Sequence, residues 1–348
     1  MERYEHGGQV YDATGNVGDW LDFSANINPL GLSDKILHAL TDNLRGVTNY
    51  PDPNATELKR AICRRYGVRE TNLVLLNGAA EFFYLYLQAT RPDKVLLPVP
   101  TFGEYERAAR AAACDVKFFV TQAADNFVVN VDALIDVAKT VDCVIIGRPN
   151  NPTGNLLGVQ EILRLSEVTR VVVDESFIDF TDAESVRKFA CDRIAVVQSL
   201  TKIFAIPGLR LGFAVVDEKL ATRLNLSKDV WNVNFLAQKA GATALSDEDF
   251  LRRTRAWLST EKVFFVERLS KLRGLKVFPP TVNFVLLKLD TVADAEKVLR
   301  DLRREKILLR SCANFAGLDA AYLRSAIRSR AENLVLLTAL EKSLEVSQ

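Results

Sequence analysis

The chain has 348 residues, 48% of them hydrophobic and 26% charged, enough apolar sequence for one large domain and one small one, each with a core. Its formal net charge is +1, so there is no electrostatic case for nucleic acid or an anionic membrane surface as a partner. No apolar run approaches membrane-spanning length, the first six residues lack the apolar core of a signal peptide, and five scattered cysteines with only two histidines predict reduced thiols in a cytoplasm and no metal site.

In chain order, Asp22 to Gly31 is rich in Asn, Pro and Gly and is expected to be a loop. Ser33 is a good N-cap, and a helix is predicted from there to about Leu44. Asn49-Tyr50-Pro51-Asp52-Pro53-Asn54 breaks the chain before a second helix over Thr56 to Tyr66. From Leu73, short apolar runs alternate with helix-like segments. Strands are predicted at 73–76, 94–97, 116–120, 143–146, 171–173, 194–197 and 212–216. Helices are predicted between them at 80–89, 105–113, 131–139 and 159–167. Continuous apolar strands alternating with helices imply an α/β fold, a mostly parallel sheet covered on both faces. A long, charged, amphipathic helical stretch is expected over 235–272. Strands at 275–278, 282–289, 307–310 and 323–327, a helix near 293–304 and a last helix from about Glu332 predict a small α+β domain. The expected division is an N-terminal segment with a flap and part of the small domain (1–45), a large cofactor-binding domain (46–235), and a connecting helix with the small domain (236–348).

Chemistry concentrates just past the predicted strand ends, where open α/β sheets bind ligands. Gln198-Ser199-Leu200-Thr201-Lys202 follows the apolar run 194–197, and Pro207-Gly208 bends the chain before Arg210. A lysine in apolar company loses charge stabilisation, so its amine becomes a nucleophile toward a carbonyl. Ser199, Thr201 and Arg210 offer a grip for a phosphate beside it. A carbonyl and a phosphate on one small molecule describe pyridoxal 5'-phosphate. Asp174, at the end of the run 171–173, suits the protonated ring nitrogen of such a cofactor. Asn151, in Arg148-Pro149-Asn150-Asn151-Pro152-Thr153-Gly154, can donate to its phenolic oxygen. Asn77-Gly78-Ala79-Ala80-Glu81 opens a helix and presents backbone N–H groups to the phosphate.

The set Asn151-Pro152-Thr153-Gly154, Asp174 with Phe177, Ser199-x-x-Lys202 and Arg210 resembles the fold-type-I, aspartate-aminotransferase-like enzymes that use pyridoxal 5'-phosphate. The resemblance covers nearly the whole chain. It implies that Lys202 holds the cofactor covalently, that Asp174 pairs with its ring nitrogen and that Asn151 donates to O3'. It further implies that Ser199, Thr201, Arg210 and the backbone of Gly78, Ala79 and Ala80 take the phosphate, and that Phe102 stacks on the ring. The family often has Tyr where Phe177 stands, so that phenol contact is missing. Members resemble one another in forming homodimers with shared active sites, and Tyr50 is the residue expected to reach the partner's cofactor phosphate.

Within this family, His6-Gly7-Gly8, Leu21 to Gly31, Leu309 to Leu318 and Ala326-Ile327-Arg328-Ser329 resemble the L-threonine-O-3-phosphate decarboxylases of cobalamin biosynthesis, relatives of the histidinol-phosphate aminotransferases. The sequence departs from them at Leu76, Ala79 and Phe82, which points to a changed pocket shape with the backbone donors intact. The implied substrate is a small phosphorylated amino acid, threonine phosphate or serine phosphate. Such a dianion needs cations beyond Arg210. Arg324 and Arg328, four apart on a predicted strand, are expected on one face, whereas Arg310 is expected to be a surface ion pair. His6, Gly7 and Gly8 are expected to form a flap over the substrate, with Asn26, Asn151 and Asn314 as uncharged partners. An aminotransferase acting on histidinol phosphate or a related substrate is the alternative; a regulatory module without turnover is disfavoured by the presence of Lys202 and the absence of a basic extension.

Overall fold

The computed structural model describes residues 6–345. A short strand β1 (Leu21–Asp22) and helices α1 (Asp34–Asn43) and α2 (Thr56–Tyr66) come first. Then follow β2 (Leu73–Leu76), α3 (Ala80–Thr90), β3 (Lys94–Val99), α4 (Gly103–Ala111), β4 (Asp115–Val120), α5 (Val131–Ala138), β5 (Cys143–Gly147), α6 (Val159–Ser166), β6 (Arg170–Asp174), β7 (Ile194–Ser199) and β8 (Gly212–Val215). After α7 (Glu218–Ser227), α8 (Phe235–Leu245) and α9 (Glu248–Leu269) come β9 (Leu275–Val277), β10 (Phe284–Leu289), α10 (Val292–Arg304), β11 (Ile307–Leu308), β12 (Arg310–Ser311), β13 (Tyr322–Ala326) and α11 (Arg330–Glu345).

Seven strands form one sheet in the order β2-β8-β7-β6-β5-β3-β4, in which β8 alone runs against its neighbours. The alternation of strand side chains sorts the apolar residues into two layers. Ile145, Val172, Ala195 and Val197 pack with Phe83, Tyr105 and Leu224 on one face. Val144, Ile146, Val171, Val173, Ile194 and Val196 pack with Leu134, Ile162 and Leu165 on the other. Burying both faces is what lets these strands be continuous Val/Ile runs. The same parity carries on to the strand ends. Asp174 and Ser199 fall on the Tyr105 face, whereas Gln198, like Val196, falls on the opposite face, where it joins a buried polar network containing Glu175 and Arg148.

A second, four-stranded antiparallel sheet has the order β12-β13-β10-β9. Three expectations are corrected here. Asp22 is not loop: with Leu21 it pairs in parallel with β11, tying the N-terminal segment to the C-terminal part of the chain. The single helix expected over 235–272 is two, because the Asp247 carboxylate accepts the Phe250 N–H and caps α9 while Ser246 ends α8. The expected strand 307–310 is two short ones that serve different sheets. Among the described residues no helix is long and apolar enough to cross a membrane, and all five cysteines are free.

Candidate active site

The C-terminal ends of β2, β5, β6 and β7 meet at one edge of the large sheet. The reversed strand β8 starts at that edge, where Gly212 pairs with both Leu76 and Ser199. A Cβ on Gly212 would lie 2.7 Å from the Ala79 backbone nitrogen, so glycine is what lets the turn after β2 close down on β8. Gly78 in that turn has φ +83°, and a Cβ there would lie 2.3 Å from Arg210 Nη2; the guanidinium therefore lies against the bare backbone of the turn. Ser199 Oγ and Thr201 Oγ1 are 2.7 Å apart. Two hydroxyls, one guanidinium and the N-terminus of α3 thus converge within a few residues of Lys202.

Lys202 is half-buried. Burial pushes its amine down to about 8; Asp174 opposes the shift, and Arg210 and Arg324 add to it. Its Nζ lies 5.1 Å from the centre of the Phe177 ring. Asn28 anchors this loop, donating from its side chain to Ile203 O (2.8 Å) and from its backbone to Lys202 O (3.1 Å). Asp174 accepts the Ser176 N–H on one oxygen (2.9 Å) and the Tyr105 hydroxyl on the other (2.7 Å). Phe102 sits edge-on to Tyr105 with ring centres 5.6 Å apart, one helical turn away from it.

The small sheet supplies the other wall. Arg324 on β13 stands opposite Arg310 on β12. Arg324 donates to Asn151 Oδ1 and to Ser24 O (2.7 Å), so the Asn151 amide oxygen is taken by the guanidinium. Arg324 is 5% exposed, and its Nε is buried with no hydrogen-bond partner. Among the described residues no carboxylate pairs with it; burial lowers its pKa to about 10, and the like charge of Arg310 adds to the shift. Arg310 donates to Ser311 O and to Asn314 Oδ1, each at 2.6 Å. His6, Phe102, Arg310 and Asn314 line one cavity, and His6, Gly7, Ser24 and Arg310 line the next. His6 Nε2 meets Glu104 Oε1 at 2.8 Å. Gly8 N donates to Ser24 Oγ at 2.8 Å, and a Cβ on Gly7 would fall 2.0 Å from Ser24 O. The first described residues are therefore strapped across the cavity by close backbone approach. Asn26 is buried there too, with Oδ1 lacking a partner.

Residues 18–340 match the family Aminotransferase class I and II. The threonine-phosphate decarboxylase of Salmonella typhimurium is 36% identical, over 97% of this chain and 96% of that protein. The crystal structure of L-threonine-O-3-phosphate decarboxylase from Porphyromonas gingivalis is 30% identical, covers 93% of this chain and 99% of that one, and superposes with a TM-score of 0.83. The histidinol-phosphate aminotransferase structure from Clostridium acetobutylicum is also 30% identical, with the same coverages and a TM-score of 0.86.

The chain belongs to the class I and II aminotransferase family.

The enzyme's cofactor is pyridoxal 5'-phosphate, and the residues present fit it. Desolvation lowers the pKa of the Lys202 amine to about 8, which a carbonyl-binding lysine needs. Gly78 leaves a cradle that a Cβ would fill, with Arg210, Ser199 and Thr201 around it. Asp174 is a carboxylate fixed by two donors and placed to sit against a ring cation.

Most residues expected from the sequence are brought together here, and two are corrected. Arg328 lies beyond β13, which ends at Ala326, so strand parity does not relate it to Arg324. It donates from Nε and Nη2 to Glu332 Oε1 (3.0 and 2.6 Å) and from Nη1 to Asp22 O (3.0 Å); its guanidinium holds the start of α11 to β1. Arg310 is not at the surface. It is 7% exposed and lines the cavity beside His6. Tyr50 is 76% exposed, stacked on Trp231 with ring centres 4.3 Å apart, away from this chain's own Lys202 loop. Tyr105 and Asn28 were not singled out. Tyr105 was findable from its place three residues after Phe102 at a helix start, while Asn28 had no signal beyond an Asn-rich loop.

Proposed function

We propose that the enzyme decarboxylates a phosphorylated amino acid: L-threonine O-3-phosphate to (R)-1-amino-2-propanol O-2-phosphate and CO2, or L-serine O-3-phosphate to ethanolamine O-phosphate and CO2, supplying the amino-alcohol linker of a cobamide. The observation that carries this is the buried pair Arg310 and Arg324, the second with no carboxylate partner among the described residues and an unsatisfied Nε. A buried guanidinium without a counter-charge is costly unless an anion comes to it, and two side by side suit a guest bearing a carboxylate and a phosphate. The relatives named as threonine-phosphate decarboxylases support the same guest.

When bound, the cofactor draws electrons from the substrate Cα so that a bond to it can break. The protein's own residues decide which bond. Arg310 and Arg324 would grip the anionic ends of the substrate and stop rotation about Cα, so that the bond to the carboxylate would be the one selected for cleavage. Asp174, fixed by Tyr105 and Ser176, sets the charge at the ring nitrogen. Lys202 Nζ, with a pKa of about 8, both gives and takes a proton near neutral pH and is placed to return one to Cα after CO2 leaves. His6 and the Gly7-Gly8 strap exclude water above the guest.

We also propose a cytoplasmic homodimer. Leu44, Val47, Tyr50, Leu226 and Trp231 are exposed apolar side chains, and a partner covering them would receive Tyr50 at its own cofactor phosphate. The test of the activity is to supply phosphothreonine and phosphoserine to the loaded enzyme without any keto acid. CO2 released in stoichiometric step with amino-alcohol phosphate is expected; turnover only when a keto acid is added would replace this reading with an aminotransferase.

A further inference from the structure

Outside the residues that face the cofactor, one half-buried polar cluster flanks the phosphate turn. Glu81, in the first turn of α3, reaches back so that its Oε2 accepts the Asn77 N–H at 2.7 Å. Asn232 donates from Nδ2 to the same Glu81 oxygen (3.1 Å) and to Leu75 O (3.1 Å). Lys228 donates to Leu75 O (3.0 Å) and to Asn232 Oδ1 (2.8 Å), and burial pushes its amine down to about 8. Both polar atoms of the Asn232 side chain are thus committed, Nδ2 to Leu75 O of β2 and to Glu81 of α3, and Oδ1 to Lys228.

The neighbours of Asn232 reach the two other parts of the phosphate grip. Asn234 Nδ2 donates to Leu209 O, next to Arg210, at 3.1 Å. Trp231 is the platform on which Tyr50 stacks, ring planes 21° apart. So one irregular segment between α7 and α8, residues 228–234, holds Leu75 and Glu81 on either side of the turn 77–80, the peptide before Arg210, and the tyrosine expected at the partner's phosphate. None of its own side chains is assigned to the cofactor.

We propose that residues 228–234 are the scaffold that sets cofactor-phosphate affinity, with Asn232 and Glu81 as positioning residues for the turn 77–80 and Trp231 as the support that presents Tyr50 across the dimer. The turn has to offer bare N–H groups to a phosphate, which it does only while its preceding peptide is pinned: Gly78 at φ +83° has no side chain to hold it, and the pin is Glu81, held in turn by Asn232. Because Trp231 and Asn232 are adjacent, a partner that takes up Tyr50 also fixes the segment that orders this chain's own turn. Loading of one site therefore favours loading of the other. The Trp231 part rests on the proposed homodimer; the Glu81 and Asn232 part needs only the cofactor.

The test is titration of the full-length apoenzyme with pyridoxal 5'-phosphate, read by the absorbance of lysine-bound cofactor. Glu81→Ala and Asn232→Ala are expected to weaken binding about tenfold or more, since each removes a hydrogen bond to a charged or fully committed group. Glu81→Gln keeps an acceptor for Asn77 N–H and is expected to stay within about threefold of the parent. At saturating cofactor, kcat and KM for the phosphoamino acid are expected to return to parental values, which a general loss of structure would not allow. Far-ultraviolet circular dichroism of each apoprotein checks folding, and if Asn232→Ala does not fold, Asn232→Asp serves in its place. Trp231→Ala is expected to weaken binding in the dimer and to remove cooperativity between sites. Affinities unchanged in folded Glu81→Ala and Asn232→Ala overturn the scaffold. Weakening in these two with Trp231→Ala unaffected overturns the cross-subunit part alone. Failure of the parent protein to bind the cofactor at Lys202 would instead overturn the reading of the site itself.

Discussion

Arg310 and Arg324 stand directly opposite each other in the antiparallel pair β12–β13, both less than a tenth exposed. The Arg324 Nε is buried without a hydrogen-bond partner, so its guanidinium marks a place where an anion is expected. Arg310→Met is predicted to raise KM for the phosphoamino acid by about 100-fold, at about 1.5–3 kcal/mol for each charged hydrogen bond, and to leave the bound cofactor's absorbance unchanged. Arg324→Met is predicted to raise KM and to lower kcat as well, because Asn151 loses the donor that orients it. Identical kinetic profiles for the two variants would contradict this division.

Tyr105→Phe removes a single oxygen from a fully packed ring, so the fold is expected to stay intact. One Asp174 oxygen then loses its donor, at a cost of about 1–3 kcal/mol. A fall in kcat of about tenfold, with KM nearly constant, is the expected result by steady-state kinetics. A variant with parental kcat would mean that the Tyr105 hydroxyl has no part in fixing the carboxylate.

Cofactor attachment to the apoenzyme is predicted to be steeply pH-dependent. The Lys202 amine must be neutral to attack, and its pKa lies near 8, below the lysine norm, because burial disfavours the charged form. The neutral fraction thus grows as pH rises and saturates above about 8. Stopped-flow absorbance is expected to show the rate climbing close to tenfold per unit below that point and levelling above it. A rate that keeps climbing to about pH 10 would place the amine at the unperturbed lysine value.

Gly7→Ala tests the strap. A methyl at this position would overlap Ser24 O, so the N-terminal segment must lift away from the cavity. The prediction is a KM about tenfold higher with cofactor affinity unchanged, measured by titration beside the parent. Equal KM values would show that the strap does not touch the guest.

The Arg148–Glu175 ion pair is buried, with Nη1 and Oε1 2.6 Å apart and side chains 2% and 0% exposed. Arg148→Met leaves Glu175 as a buried charge with weaker partners, Arg187 at 3.7 Å among them. Loss of about 3–5 kcal/mol is expected in urea unfolding. Arg148→Met with Glu175→Gln is predicted to recover part of that loss, since the stranded charge is gone.

Local pattern determined a great deal of this protein. Apolar runs bounded by turns located the inner strands of the large sheet, because a strand buried on both faces must be continuously apolar, whereas β4 at the edge is half-exposed. The residues just beyond those runs, Lys202, Asp174, Asn151 and the turn at Gly78, were legible because chemistry in such sheets is confined to one set of strand ends. What the tertiary structure alone decided is which distant side chains meet. The sequence pattern points to Arg328 for the substrate and leaves Arg310 at the surface, and the structure reverses the two. Only the hairpin register sets Arg310 against Arg324, and only the end of β13 at Ala326 hands Arg328 to Glu332. Pairing across strands and the point where a strand stops depend on contacts between segments far apart in the chain, and no periodicity within one segment encodes them.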